Sequence, residues 1–105
     1  MAETRAKRWT LAEVEALPYD EWTRYEIIDG ELFVSRAAGN PHQLTVNECA
    51  YALTAWNKQI RLGDVLPSPG LIFSDADAVI PDLVWVSRAR RATIERDDKL
   101  HGARN

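Results

Sequence analysis

Ala78-Val79-Ile80-Pro81-Asp82-Leu83-Val84-Trp85-Val86-Ser87 carries apolar residues on both alternating sets, Val79, Leu83 and Trp85 on one and Ile80, Val84 and Val86 on the other. A half-exposed strand would alternate apolar with polar, so the stretch reads as a strand covered on both faces. One carboxylate, Asp82, stands in its middle. A charge there needs a cation, a hydrogen-bond cage or an opening to solvent. Pro81 removes one ladder donor, which fits an edge strand or a local break in pairing beside a site. Chemistry is expected at Asp82 first.

Upstream, Gly70-Leu71-Ile72-Phe73 reads as a strand and Ser74-Asp75-Ala76-Asp77 as a turn, so the Asp82 strand returns antiparallel to it. Asp64-Val65-Leu66 is a brief strand candidate. Asp75 and Asp77 lack the glycine and distal glutamate of a calcium loop, and turn chemistry accounts for them better.

A second hairpin lies in Arg24-Tyr25-Glu26-Ile27-Ile28-Asp29-Gly30-Glu31-Leu32-Phe33-Val34. Asp29-Gly30 suits a type I′ turn, which needs positive φ at both central residues. A two-residue loop fixes the register and opposes Ile28 to Glu31, Ile27 to Leu32, Glu26 to Phe33 and Tyr25 to Val34. Tyr25, Ile27, Leu32 and Val34 then form an apolar face, while Glu26 and Glu31 share the other. That second face is either solvated, with Arg24 or Arg36 pairing the glutamates, or functional.

Between the hairpins, Asn40-Pro41 opens a long helix, with Asn40 as N-cap, Pro41 in the first turn and Gln43 completing a capping box. Val46, Ala50, Leu53, Trp56 and Ile60 run down one stripe joined by Cys49, and the helix is expected to end near Gly63. Trp56 and Cys49 read as core. His42 falls in the first turn, with no catalytic role assigned. Nearer the N-terminus, Thr10 and Glu13 form a capping box ahead of a short helix stopped by Pro18, and Trp22 is expected to plug the core edge.

After Ser87 the chain turns basic. Arg88, Arg90 and Arg91 either meet phosphates or form a solvated segment balanced by Glu95, Asp97 and Asp98. Residues 96–105 show no strand or core pattern.

The composition suits one small globular domain: 105 residues, 46% hydrophobic and 28% charged. A net charge of -3 gives no global attraction for nucleic acid. The single Cys49 excludes an internal disulfide or a thiolate zinc site. No apolar run is long enough for a signal peptide or a membrane span, so a soluble cytoplasmic protein is expected. The order is helix, hairpin, long helix, hairpin and polar tail, an α/β (α+β) chain with both hairpins packed on the long helix. If the sheets merge, Glu26 or Glu31 converges with Asp82, the kind of cluster that holds magnesium or manganese.

The Arg24-to-Leu32 run, Pro41-His42 opening a long helix, and Ile80-Pro81-Asp82-Leu83-Val84-Trp85-Val86-Ser87 resemble the Uma2 family, within the PD-(D/E)XK nuclease superfamily. The likeness covers roughly residues 11–102. It implies a restriction-endonuclease-like core and a metal-dependent DNA endonuclease. Asp82 is then a catalytic metal ligand, Glu26 and Glu31 are catalytic carboxylates, Mg2+ or Mn2+ is the cofactor and DNA the partner. In the family, a glycine-alanine step like Gly102-Ala103 leads into a further strand with a catalytic glutamate and, later, a lysine. Here only Arg104-Asn105 follow. Residues 1–9 read as a charged leader with nothing to fold around, and the resemblance implies a partial domain over 10–103 and a truncated end at 104–105, inactive alone. A homodimer is one way to complete it. The alternative is a non-catalytic relic or protein-interaction module retaining the fold.

Overall fold

The computed structural model describes residues 7–36 and 39–102. The expected charged leader lies largely in residues 1–6, outside the described part, and so do Ala103 and the expected truncated end. The last leader residues are tied down: Trp9 N–H donates to the Gly30 carbonyl at 2.8 Å and Lys7 pairs with Glu13 at 2.9 Å.

The elements run α1 (Leu11–Glu15), β1 (Thr23–Ile28), β2 (Glu31–Arg36), α2 (Asn40–Ile60), β3 (Gly63–Pro67), β4 (Leu71–Ser74), β5 (Asp77–Val79), β6 (Leu83–Ser87), α3 (Arg88–Ile94), β7 (Glu95–Arg96) and β8 (Lys99–His101). A six-stranded sheet has the order β2-β1-β5-β4-β8-β7, and β3 pairs with β6 in a second sheet. The mixed α/β class is as the sequence indicates.

Local chemistry explains the first half. Thr10 and Glu13 make the reciprocal capping box on α1. Asp29 and Gly30 take φ of 51° and 79°, and the β1–β2 register pairs Tyr25 with Val34, Glu26 with Phe33, Ile27 with Leu32 and Ile28 with Glu31. That is the register a two-residue primed turn imposes. α2 is the expected long helix, but Gly39 is its N-cap and no side chain caps it, so the Asn40–Gln43 capping box does not form. The helix closes on Arg61, whose φ of 54° is left-handed, ahead of the expected Gly63.

The strand around Asp82 is not continuous. β5 pairs with β1 and β4, β6 pairs with β3, and residues 80–82 belong to neither. The two halves of one apolar run thus enter different sheets, as a proline break permits. The expected packing of both hairpins on the long helix is corrected accordingly. α2 lies chiefly on β3 and β6, whereas the β1–β2 hairpin extends the larger sheet through β5.

Asn57 ties α2 to the smaller sheet. Its amide donates to the Gly63 carbonyl at 2.8 Å and accepts from Trp85 Nε1 at 2.9 Å. Trp56 meets Trp85 edge-on at 5.6 Å between ring centroids, yet remains 45% exposed. Cys49 is exposed and so is Trp22, so neither fills the core as expected.

The polar tail is also corrected. It forms α3 and a small β7–β8 ribbon, with β8 parallel to β4 and Leu100 only 2% exposed. Leu100 joins Ile27, Ile72 and Val86 in the core. The radius of gyration is 16.1 Å, against about 13 Å for a compact chain of this length. Consistent with that spread, α2 contains no buried residue. Among the described residues no helix is long and apolar enough to cross a membrane.

Candidate functional site

The break at residues 80–82 is held by three elements. Ile80 N–H donates to Glu26 Oε2 of β1 at 2.7 Å, and the Asp82 carbonyl accepts from Ser68 N–H, just past β3, at 2.9 Å. Extending the Ile27–Ala78 antiparallel pair brings position 24 of β1 abreast of position 81. Arg24 is therefore delivered to the break by strand register, and His42 by the first turn of α2.

Both oxygens of Asp82 are engaged. Arg24 Nη1 lies 3.2 Å from Oδ1 and His42 Nε2 lies 2.9 Å from Oδ2. The side chain is 40% exposed, so the charge is met by a cation, a ring nitrogen and an opening to solvent together. The Arg24 hydrogen bond is the main cause holding the Asp82 carboxyl below the usual aspartate range, and His42 adds to it against partial desolvation. An ionised carboxylate only accepts, so Nε2 of His42 carries the proton of that contact. Nδ1 has no hydrogen-bond partner among the described residues.

Asp82, His42 and Arg24 open onto a cleft of about 590 Å³ whose wall includes Trp22, Arg36 and Ser68. Neither Glu26 nor Glu31 lines it. The two glutamates do share a strand face, as the register requires, but Glu26 is engaged by the Ile80 backbone and Glu31 is exposed at the hairpin end. Arg24 pairs with Asp82 and not with either glutamate.

The residue pattern had left His42 without a role; the structure brings it to Asp82. Its position in the first turn of a long helix was the available signal, and that signal does not name a partner.

Arg88, Arg90 and Arg91 sit on α3, beyond the far end of β6, roughly 16 Å along the strand from Asp82. Arg91 bridges Asp64 at 3.4 Å and Glu95 at 3.0 Å, and Arg88 donates to the Arg61 carbonyl at 3.2 Å. Two of the three are thus committed to intramolecular contacts.

The metal implied by the resemblance can be tested against these donors. Magnesium takes about six oxygen ligands in near-octahedral geometry, usually keeping several waters. Among the described residues no three histidine, cysteine or acidic side chains converge on one point. Asp82 accepts from Arg24 and His42 and Glu26 accepts from Ile80, and no third acidic, histidine or cysteine side chain gathers with either of them. These residues do not form a magnesium or manganese site unaided.

The profile of the Uma2 family, described as "Putative restriction endonuclease", matches residues 11–103. Among solved structures, a nuclease described as putative and belonging to DUF820, from Anabaena variabilis ATCC 29413, is similar at 21% identity with a TM-score of 0.67. The match covers 90% of this chain and 51% of that one, so the chain spans about half the length of this relative. No curated protein matches.

Proposed function

The chain belongs to the Uma2 family, and from that membership we propose that it forms part of a nuclease hydrolysing phosphodiester bonds in DNA, with Asp82 at the reacting centre. One observation supports this most: an ionised carboxylate at a strand break, oriented by Arg24 and His42, opening onto a cleft. With its pKa lowered, Asp82 is a weak base and a good orienting group. It holds His42 Nε2, which leaves Nδ1 to take a proton from an attacking water. Arg24 and Arg36 supply positive charge for a phosphate oxygen.

Phosphoryl transfer depends mostly on stabilising charge around the phosphorus, and two arginines beside acidic Asp20, Glu21 and Asp82 give little of it. Divalent-metal dependence is therefore proposed for the complete nuclease, with carboxylates beyond these residues. By itself the chain is expected to cleave nothing measurable.

The test replaces the aligned half of the Anabaena variabilis protein by this chain and follows plasmid cleavage in magnesium or manganese. The chimera should cleave and its Asp82→Ala variant should not. Equal cleavage by the two removes Asp82 from the reacting centre. Cleavage by the isolated chain, lost in Asp82→Ala, shows that the site needs no further residues.

A second reading, a non-catalytic interaction module on the same fold, is favoured by α2, which leaves Leu44 66% and Tyr51 74% exposed. It predicts partner binding with no Asp82-dependent cleavage in the chimera.

A further inference from the structure

We infer that the outward face of α2 docks a second copy of this chain in antiparallel orientation. The inference stands apart from the nuclease reading and concerns a face on the opposite side of α2 from the β3–β6 sheet. Val46, Ala50, Leu53, Asn57 and Ile60 turn inward and are half-buried. Leu44, Glu48, Tyr51, Ala55, Lys58 and, just past the helix end, Leu62 are all exposed. From Leu44 to Lys58 their spacing alternates four and three, which is the seam of a helix that packs lengthwise on another. Two large apolar side chains mark the seam, Leu44 at 66% and Tyr51 at 74% exposure, and Leu62 at 64% lies just past the left-handed Arg61 that ends the helix.

What selects a second copy is that the seam complements itself. Laid antiparallel about Leu53, it opposes Glu48 to Lys58 of the second copy and Tyr51 to Ala55, each contact occurring twice by two-fold symmetry. A large ring meets a methyl group, and both acid–base pairs have opposite sign. A parallel arrangement would instead oppose Glu48 to Glu48 and Lys58 to Lys58. At 21 residues α2 offers about 31 Å of length, enough for all four contacts. Cys49 lies off this seam, so no disulfide is needed to hold the pair.

The experiment is analytical ultracentrifugation of the 105-residue chain over a concentration series, with circular dichroism confirming equal helix content. The parent should form a dimer. Glu48→Lys and Lys58→Glu, each replacing two attractions by two repulsions, should raise the dissociation constant by about tenfold or more. The double reversal should restore the parent value, and so should an equimolar mixture of the two single variants. Tyr51→Arg should abolish association. A monomeric parent, single variants that associate as the parent does, or an unaffected Tyr51→Arg would each overturn the inference.

Discussion

Nε2 of His42 stands 2.9 Å from Oδ2 of Asp82, joining the first turn of α2 to the break between β5 and β6 across forty residues of chain. Arg24 holds the other oxygen of the same carboxylate at 3.2 Å. Asp82 is thus the point where β1, α2 and the interrupted strand meet.

The first prediction concerns acid. The folded Asp82 pKa lies below its ordinary value of 3.8, chiefly through Arg24. The stability this confers is fully present above the ordinary value and is lost as pH falls through the lower folded value. The half-open site limits it to about 1 kcal/mol at most. In urea melts, the gap between parent and Asp82→Asn should be constant near neutrality and close in the acid range. Carboxyl carbon NMR should show Arg24→Ala raising the Asp82 pKa more than His42→Ala; the reverse order would mean that His42 dominates.

Glu26 was a catalytic candidate, and the structure gives it a backbone partner at 2.7 Å. Glu26→Gln keeps an acceptor for Ile80 N–H and should melt within about 0.5 kcal/mol of the parent. Glu26→Ala leaves that donor unpaired and should cost about 1–2 kcal/mol. Equal losses in both would show that the carboxylate charge matters more than the hydrogen bond.

Asn57 should be the most sensitive polar residue of α2, because its one amide serves both Gly63 and Trp85. Asn57→Ala is expected to cost about 1–3 kcal/mol in chemical denaturation. Gly63→Ala should be comparably damaging, about 1–3 kcal/mol, since an added Cβ would meet the Val86 carbonyl and lie 2.6 Å from the Trp85 ring. Neither change should disturb the β1–β2 hairpin, whose amide exchange is the control.

Magnesium titrated into the isolated chain should give no calorimetric binding tighter than about 0.1 mM, because among the described residues no three ligating side chains gather at one point. Tighter binding that disappears in Asp82→Ala would overturn this and place a metal site at Asp82.

Several features were determined by sequence alone, and all are local. The primed turn at Asp29-Gly30 fixes the hairpin register because two residues must both adopt positive φ. Thr10 and Glu13 cap α1 within four residues of chain, and a 3.6-residue apolar period specifies α2. Pro81 removes a donor wherever it lies, so an edge strand or a break beside Asp82 follows from covalent structure, and the pairing of the strands selected the break. Tertiary structure decided the rest. Only the pairing of β1 with β5 brings Arg24 to Asp82, and only the placement of α2 brings His42 there. Leu100 is one apolar residue in a polar segment, with no period to announce it, and is buried because β8 pairs with distant β4. Trp22, Cys49 and Trp56 err in the opposite sense. Hydrophobicity says that a side chain favours burial, but which faces are covered depends on what packs against them.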